Sequence, residues 1–161
     1  MIFLTVGTEK FPLDRLLKAV DEAVGNKKID QAVFGQIGKS GYKPQWFSYK
    51  EFFEFAQMKK FIQEAEIVVS HAGIGSTLLC LNLEKIPILF PRRLDFGEHL
   101  DNHQVEFAKK IEAVGKVLVA YDEKDLMHKI LNYQKLVSQL KLQSVDVSRD
   151  GLINHLKEIC A

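Results

Sequence analysis

The chain has 161 residues, 47% of them hydrophobic, which is the material of one domain with one core and too little for two full ones. Its 22 basic and 21 acidic residues leave a formal net charge of +1, so no global field recruits nucleic acid and any anion site has to be local. Two cysteines, Cys80 in an apolar stretch and Cys160 near the end, stand in no metal-ligand spacing, which predicts a reducing compartment without a disulfide.

Residues 1–7 are apolar but short, carry no basic leader and run straight into a charged segment, so they read as a first strand and not as a signal segment. Leu13, Leu16, Leu17, Val20 and Val24 then recur at helical spacing, with Asp14 near the start. Residues 31–34 predict a second strand and residues 45–49 a short third one after the turn material Gly38, Gly41 and Pro44; a Phe- and Glu-rich helix follows over 50–65. Phe52, Phe53 and Phe55 in that stretch suit either a core or a partner surface. Ile67-Val68-Val69-Ser70 is a buried strand, residues 71–76 a tight glycine loop, and residues 77–83 a helix. A strand over 87–90, a polar loop over 91–97, a helix over 99–113 and a strand over 116–119 come next, and helices over 123–133 and 148–159 close the chain.

Strands alternating with helical patterns imply right-handed crossovers, hence an α/β fold with a Rossmann-like, mainly parallel sheet and helices on both faces, in one unit over 1–161. Ligands of such sheets bind outside the carboxyl ends of the strands where strand order reverses. The loops at Gly7-Thr8-Glu9, at 71–76 and at 91–97 are the candidates. No apolar run approaches the roughly 20 residues that span a bilayer, so the expectation is a cytoplasmic protein that meets a membrane only peripherally or through a partner.

Strand, glycine loop and helix together make a phosphate-site architecture. Gly73 and Gly75 would let backbone approach phosphate oxygens, and Ser76 and Thr77 would bring hydroxyls to a helix N-terminus; the same glycines could also serve only a tight turn. The loop is no dinucleotide fingerprint, because Leu78 stands where a third small residue belongs, and the second strand runs into Gly35-Gln36 where an adenosine-ribose acid would be expected. No P-loop motif occurs.

The segment from Arg92 to Gln104 gathers Arg92, Arg93, Glu98, His99, Asp101, Asn102, His103 and Gln104. Glu98, Asp101 and Asn102 could merely cap a helix and the arginines could be solvated. Alternatively the loop closes over a polyhydroxylated ligand, with Gln104 and Asp101 or His103 on sugar hydroxyls and an arginine near phosphate. His99 and His103, one turn apart on the expected helix, would also suit a metal, but no third His or Cys is near and no metal is expected. His71, opening the glycine loop, is either part of the ligand site or a structural histidine bonded to backbone; a hydrolase pairing with Ser76 lacks its elbow motif.

Ile2 to Thr8 with Phe11 and Asp14-Arg15-Leu16, then Ser70 to Ser76, then Pro91-Arg92-Arg93 and Gly97-Glu98-His99 to His103-Gln104, together resemble the glycosyltransferase family 28 C-terminal domain in its stand-alone form. That form includes bacterial exopolysaccharide and capsule subunits of the PssE type and the cytosolic subunit of the eukaryotic two-subunit UDP-GlcNAc transferase. The resemblance implies one half of a GT-B fold that binds a UDP-sugar as donor substrate, without a cofactor. A PssD-like membrane-associated chain would bind the lipid-linked acceptor, supply the base and recruit this chain to the inner face of the membrane. It also implies that Gly7, Thr8, Gly73, Gly75 and Ser76 line the diphosphate site, with His103 and Gln104 at sugar hydroxyls. Where relatives carry a ribose-binding carboxylate this chain has Leu79. The expected activity is inverting hexosyl transfer in surface polysaccharide synthesis, the alternative being a non-catalytic stabilising subunit.

Overall fold

In the computed structural model, residues 1–143 are described, with side chains to residue 140. Six strands form one sheet: β1 (Ile2–Thr5), β2 (Val33–Gln36), β3 (Ser48–Lys50), β4 (Ile67–Ser70), β5 (Ile88–Leu89) and β6 (Leu118–Val119). Their order is β3-β2-β1-β4-β5-β6, and every pairing is parallel. The helices are α1 (Asp14–Gly25), α2 (Phe55–Glu64), α3 (Ile74–Asn82), α4 (His103–Ala113), α5 (Glu123–Leu131) and α6 (Tyr133–Gln143).

Parallel strands joined by helices are covered on both faces, so they read as continuous apolar runs, and β1 and β4 are buried at every position. Alternation along β1 then divides the core. Ile2 and Leu4 turn to the face covered by Leu16, Leu17 and Val20 of α1, Leu126 and Ile130 of α5, and Tyr133 and Val137 of α6. Phe3 turns to the opposite face, where Ile62 of α2 and Cys80 of α3 meet it; Phe107 and Ile111 of α4 cover the same face near Leu89 and Val119. Phe3, Phe34, Phe53 and Phe61 form an aromatic cluster with ring centroids 4.8 to 6.2 Å apart. Phe53 thus belongs to the core, whereas Phe52 and Phe55 are exposed.

One buried charge fixes the irregular stretch before β3. Asp21, on the inner side of α1, accepts from the Tyr42 hydroxyl at 2.7 Å and from the backbone amides of Gln45 and Trp46 at 2.9 and 2.7 Å. Three charge-assisted bonds offset its desolvation and let β2 and β3 pair in parallel without a helix between them.

Several boundaries differ from the sequence-based expectation. α3 starts at Ile74, with Gly73 as its N-cap, so the glycine loop already contains the first helical turn. α4 starts at His103, because the Asp101 carboxylate takes the His103 amide at 3.0 Å and ends the turn there. His99 therefore lies off the helix, and the expected one-turn spacing of the two histidines is not what relates them. Helix α6 was not anticipated, and the helix expected over 148–159 lies outside the described residues.

Candidate functional site

Strand order reverses between β1 and β4, so the crevice outside their carboxyl ends is the switch point of the sheet. The parallel register aligns Thr5 with Gln36 on one side and Ser70 on the other, a polar row at the lip of the crevice. From β1 the chain enters Gly7 with φ +79°, a left-handed conformation that L side chains rarely take. From β4 it enters His71, Ala72 and Gly73 and then α3.

His71 joins the two loops. Its amide donates to Thr5 O at 3.0 Å, and its buried ring occupies the space that side chains on both flanking glycines would need. A Cβ on Gly7 would stand 2.5 Å from Cε1 of His71, and one on Gly73 would overlap Nε2. These glycines therefore leave room for the imidazole. Gly75 differs, since a Cβ there meets nothing within 4 Å. Burial, with a smaller effect from the Arg92 charge, pushes the His71 pKa down to about 3, so the ring is neutral at pH 7. Its Nδ1 is buried without a partner among the described residues.

Among the described residues no side chain caps α3. Its first internal bond runs from Thr77 N to Gly73 O at 3.0 Å, which leaves the amides of the first turn without a partner among the described residues, with Ile74 and Gly75 exposed. Ser76 is half-buried beside them. Thr77 is buried and its hydroxyl donates back to Gly73 O at 2.9 Å. Leu79 packs against the core cluster around Phe3, so that position of α3 faces inward.

The third loop, after β5, is tied to the first. Arg92 is fully buried, and its Nη2 donates to Val6 O at 2.7 Å and to Phe11 O at 2.9 Å; burial lowers its pKa, and Nε and Nη1 find no described partner. The Arg92 amide donates to Gln104 Oε1 at 3.1 Å, so the buried Gln104 side chain is engaged within the protein. Glu98, also buried, accepts twice from Arg15 of α1 at 3.0 Å and from the Arg93 amide at 3.1 Å. The Arg15 guanidinium lies between the Phe90 and Phe96 rings, 4.2 and 4.6 Å from their centroids. Arg93 is half-buried and paired with Asp95 at 3.0 Å.

At the mouth, Thr8 and Glu9 are exposed and His99 stacks at a tilt on Phe11, 4.9 Å between centroids. The Asp101 carboxylate holds His99 Nδ1 at 2.9 Å and His103 Nδ1 at 2.7 Å. Accepting the His103 amide, and then the His103 ring, lowers the Asp101 pKa; the bond to Asp101 raises that of His103. No cluster of three or more metal-ligating side chains occurs among the described residues. A hollow of about 390 Å³ between α1 and the start of α5 is lined by Arg15, Lys18, Ala19, Glu22 and Glu123.

The fold thus brings Gly7, Thr8, His71, Gly73, Gly75 and Ser76 to one crevice, places His99, Asp101 and His103 at its edge, and buries Arg92, Glu98 and Gln104 as the frame of the third loop. Two residues that support these loops carry no local signal of that role in the sequence: Gln36, which donates to Gly7 O at 3.3 Å, and Arg15, whose partner Glu98 is 83 positions away. Only the Asp14-Arg15-Leu16 resemblance pointed near Arg15.

A parallel sheet in 3-2-1-4-5-6 order, with free amides at its switch point, defines a Rossmann-like α/β domain with a ligand crevice suited to an anion. The chain matches the glycosyltransferase family 28 C-terminal domain over residues 1–146 and belongs to that family. It is similar to the human protein named UDP-N-acetylglucosamine transferase subunit ALG13, 32% identical over 124 residues, which are 71% of this chain and 10% of that protein. The mouse protein of the same name is 28% identical over 155 residues, 86% of this chain and 13% of its own length. The chain thus spans only a small part of these relatives. Among solved structures, the glycotransferase of kitacinnamycin superposes with a TM-score of 0.58 at 14% identity, over 98% of this chain and 39% of that one. The spinosyn forosaminyltransferase SpnP superposes with a TM-score of 0.54 at 14% identity, over 99% of this chain and 43% of that one. Both likenesses concern the fold alone, a Rossmann-like parallel sheet similar to part of these GT-B glycosyltransferases.

Proposed function

We propose that this chain is the UDP-sugar-binding half of a two-component inverting glycosyltransferase that moves a hexose to a lipid-linked acceptor in surface polysaccharide synthesis. The observation that carries the proposal is the convergence of the Gly7-Thr8 loop and the uncapped N-terminus of α3 on the switch-point crevice. The departing nucleoside diphosphate gains negative charge as the glycosidic bond to it breaks, and fixed N–H dipoles aimed at that charge lower the barrier without reorganising. The names of the curated relatives, subunits of a UDP-N-acetylglucosamine transferase, support a uridine nucleotide.

A partner is supported by where the apolar surface lies. Of the eight large apolar side chains exposed among the described residues, Phe52, Phe55, Ile74, Leu94, Phe96 and Leu100 follow the carboxyl ends of β3, β4 and β5, the end of the sheet at which the crevice opens; Trp46 and Leu131 do not. Apolar surface gathered at one end of a sheet marks a face that another polypeptide can cover. We assign that cover to a PssD-like, membrane-associated chain holding the acceptor and the base, which would bring this chain to the inner face of the membrane. Among the described residues, no helix is long and apolar enough to cross a membrane.

Gly75→Leu tests the reading cleanly, because its side chain would project into open space. The variant should keep the wild-type unfolding midpoint and lose UDP binding and sugar transfer by the reconstituted pair. Full binding and transfer by the variant would remove the diphosphate site from α3, and transfer by the partner alone would leave this chain a stabilising subunit.

A further inference from the structure

We infer that Gln36 is a positioning residue that turns the Thr8 backbone N–H into the crevice as a diphosphate donor. The role rests on the donor-site reading above and adds a group to it.

Gln36 ends β2 with its side chain fully buried. Its Oε1 accepts from the Phe53 amide at 2.9 Å, while its Nε2 donates to Thr5 Oγ1 at 3.2 Å and to Gly7 O at 3.3 Å. The orientation of the side-chain amide is set by its neighbours. The Phe53 N–H only donates and the Gly7 carbonyl only accepts, so the oxygen must face the first and the NH2 the second. The Gly7 carbonyl is therefore anchored on the β2 side of β1. In a planar trans peptide the N–H of the next residue points opposite to the carbonyl. Because β2 and β4 flank β1 on opposite sides, the Thr8 N–H points toward β4 and the crevice. Thr8 is exposed, and its amide makes no hydrogen bond among the described residues.

The surroundings oppose the reverse orientation. Thr5 Oγ1 accepts the Gly7 amide at 3.2 Å, and Arg92 holds the preceding carbonyl, Val6 O, at 2.7 Å. Gly38 passes so close that a Cβ on it would stand 3.0 Å from Gly7 O. Gln36 thus holds one amide from the β1 loop ready to meet an anion that α3 contacts from the β4 side. A hydrogen bond to a charged oxygen is worth enough that losing it should weaken binding about tenfold or more.

The test follows backbone amide resonances of the wild type, Gln36→Met and Gln36→Glu during titration with inorganic pyrophosphate and with UDP, alongside unfolding midpoints. Gln36→Glu keeps an acceptor for Phe53 and loses the donor to Gly7. The wild type should show Thr8, Ile74 and Gly75 amides all shifting; both variants should show Ile74 and Gly75 shifting without Thr8, at about tenfold weaker affinity. A Thr8 amide that stays put in the wild type while those of α3 move would overturn the role of Gln36 and leave the donor site standing. Wild-type affinity in a folded variant would do the same. No movement at either loop in the wild type would overturn both.

Discussion

At the residue scale, the glycines around the crevice separate into two kinds that predict opposite outcomes. Gly7 and Gly73 make room for the buried His71 ring, so Gly7→Ala or Gly73→Ala should destabilise by about 1–3 kcal/mol, as overpacking does, in urea titrations. Gly75 faces open space on α3, so Gly75→Leu should hold or raise stability, since leucine is the better helix former. His71 carries a pH signature. Its folded pKa, about 3, lies below the 6.5 of an exposed histidine, so as pH falls through 6.5 the unfolded chain takes up the proton first. Stability then drops toward acid by up to about 1.4 kcal/mol per pH unit. Between pH 6.5 and 5, His71→Gln should remove this component; an unchanged slope in the variant would show that the ring is not held neutral by burial. The place of the glycine loop, between β4 and α3 at the switch point, was legible from its residue types. That Gly7 answers to the His71 imidazole was not, because that steric conflict exists only once β1 and β4 are neighbours.

At the element scale, the long-range tie between α1 and the loop after β5 decides whether the third loop is framed. Arg15 and Glu98 are both largely buried and bonded twice, and Glu98 also holds the Arg93 amide. Removing one member strands a buried charge, so Arg15→Leu should cost on the order of 3–5 kcal/mol. Arg93→Ala, which breaks a more exposed pair with Asp95, should cost less than about 1 kcal/mol. Equal losses in the two variants would contradict the framing role. Element types were readable because β-branched runs and helical apolar spacing are local signals, and both strands around the switch point lie where the sequence puts them. The start of α4 slipped because the bond from the His103 amide to Asp101 sets it, and Asp101 looks in sequence like any loop acid. Leu136, Val137 and Leu140 do carry the spacing of α6, but Asn132 breaks the pattern just before it and hides the helix.

At the scale of the whole molecule, exposed apolar side chains and free amides occupy the same end of the sheet. Leu100→Asp alters a side chain that is 74% exposed, so it should leave stability within about 0.5 kcal/mol of wild type while breaking association with the proposed acceptor-binding partner. Parallel α/β architecture could be read from alternating elements, but the strand order could not, since it depends on pairings between distant segments. The measurement that bears most directly on the donor-half assignment is a thermal-shift titration of the chain, alone and with the proposed partner, against UDP, UDP-sugars, GDP and NAD. A ligand at a hundredfold over its dissociation constant adds about 2.7 kcal/mol, roughly 5–10 °C for a domain of this size. The assignment predicts that shift for UDP compounds and none for GDP or NAD. A flat response to UDP by both the chain and the pair, or equal stabilisation by NAD, would contradict it.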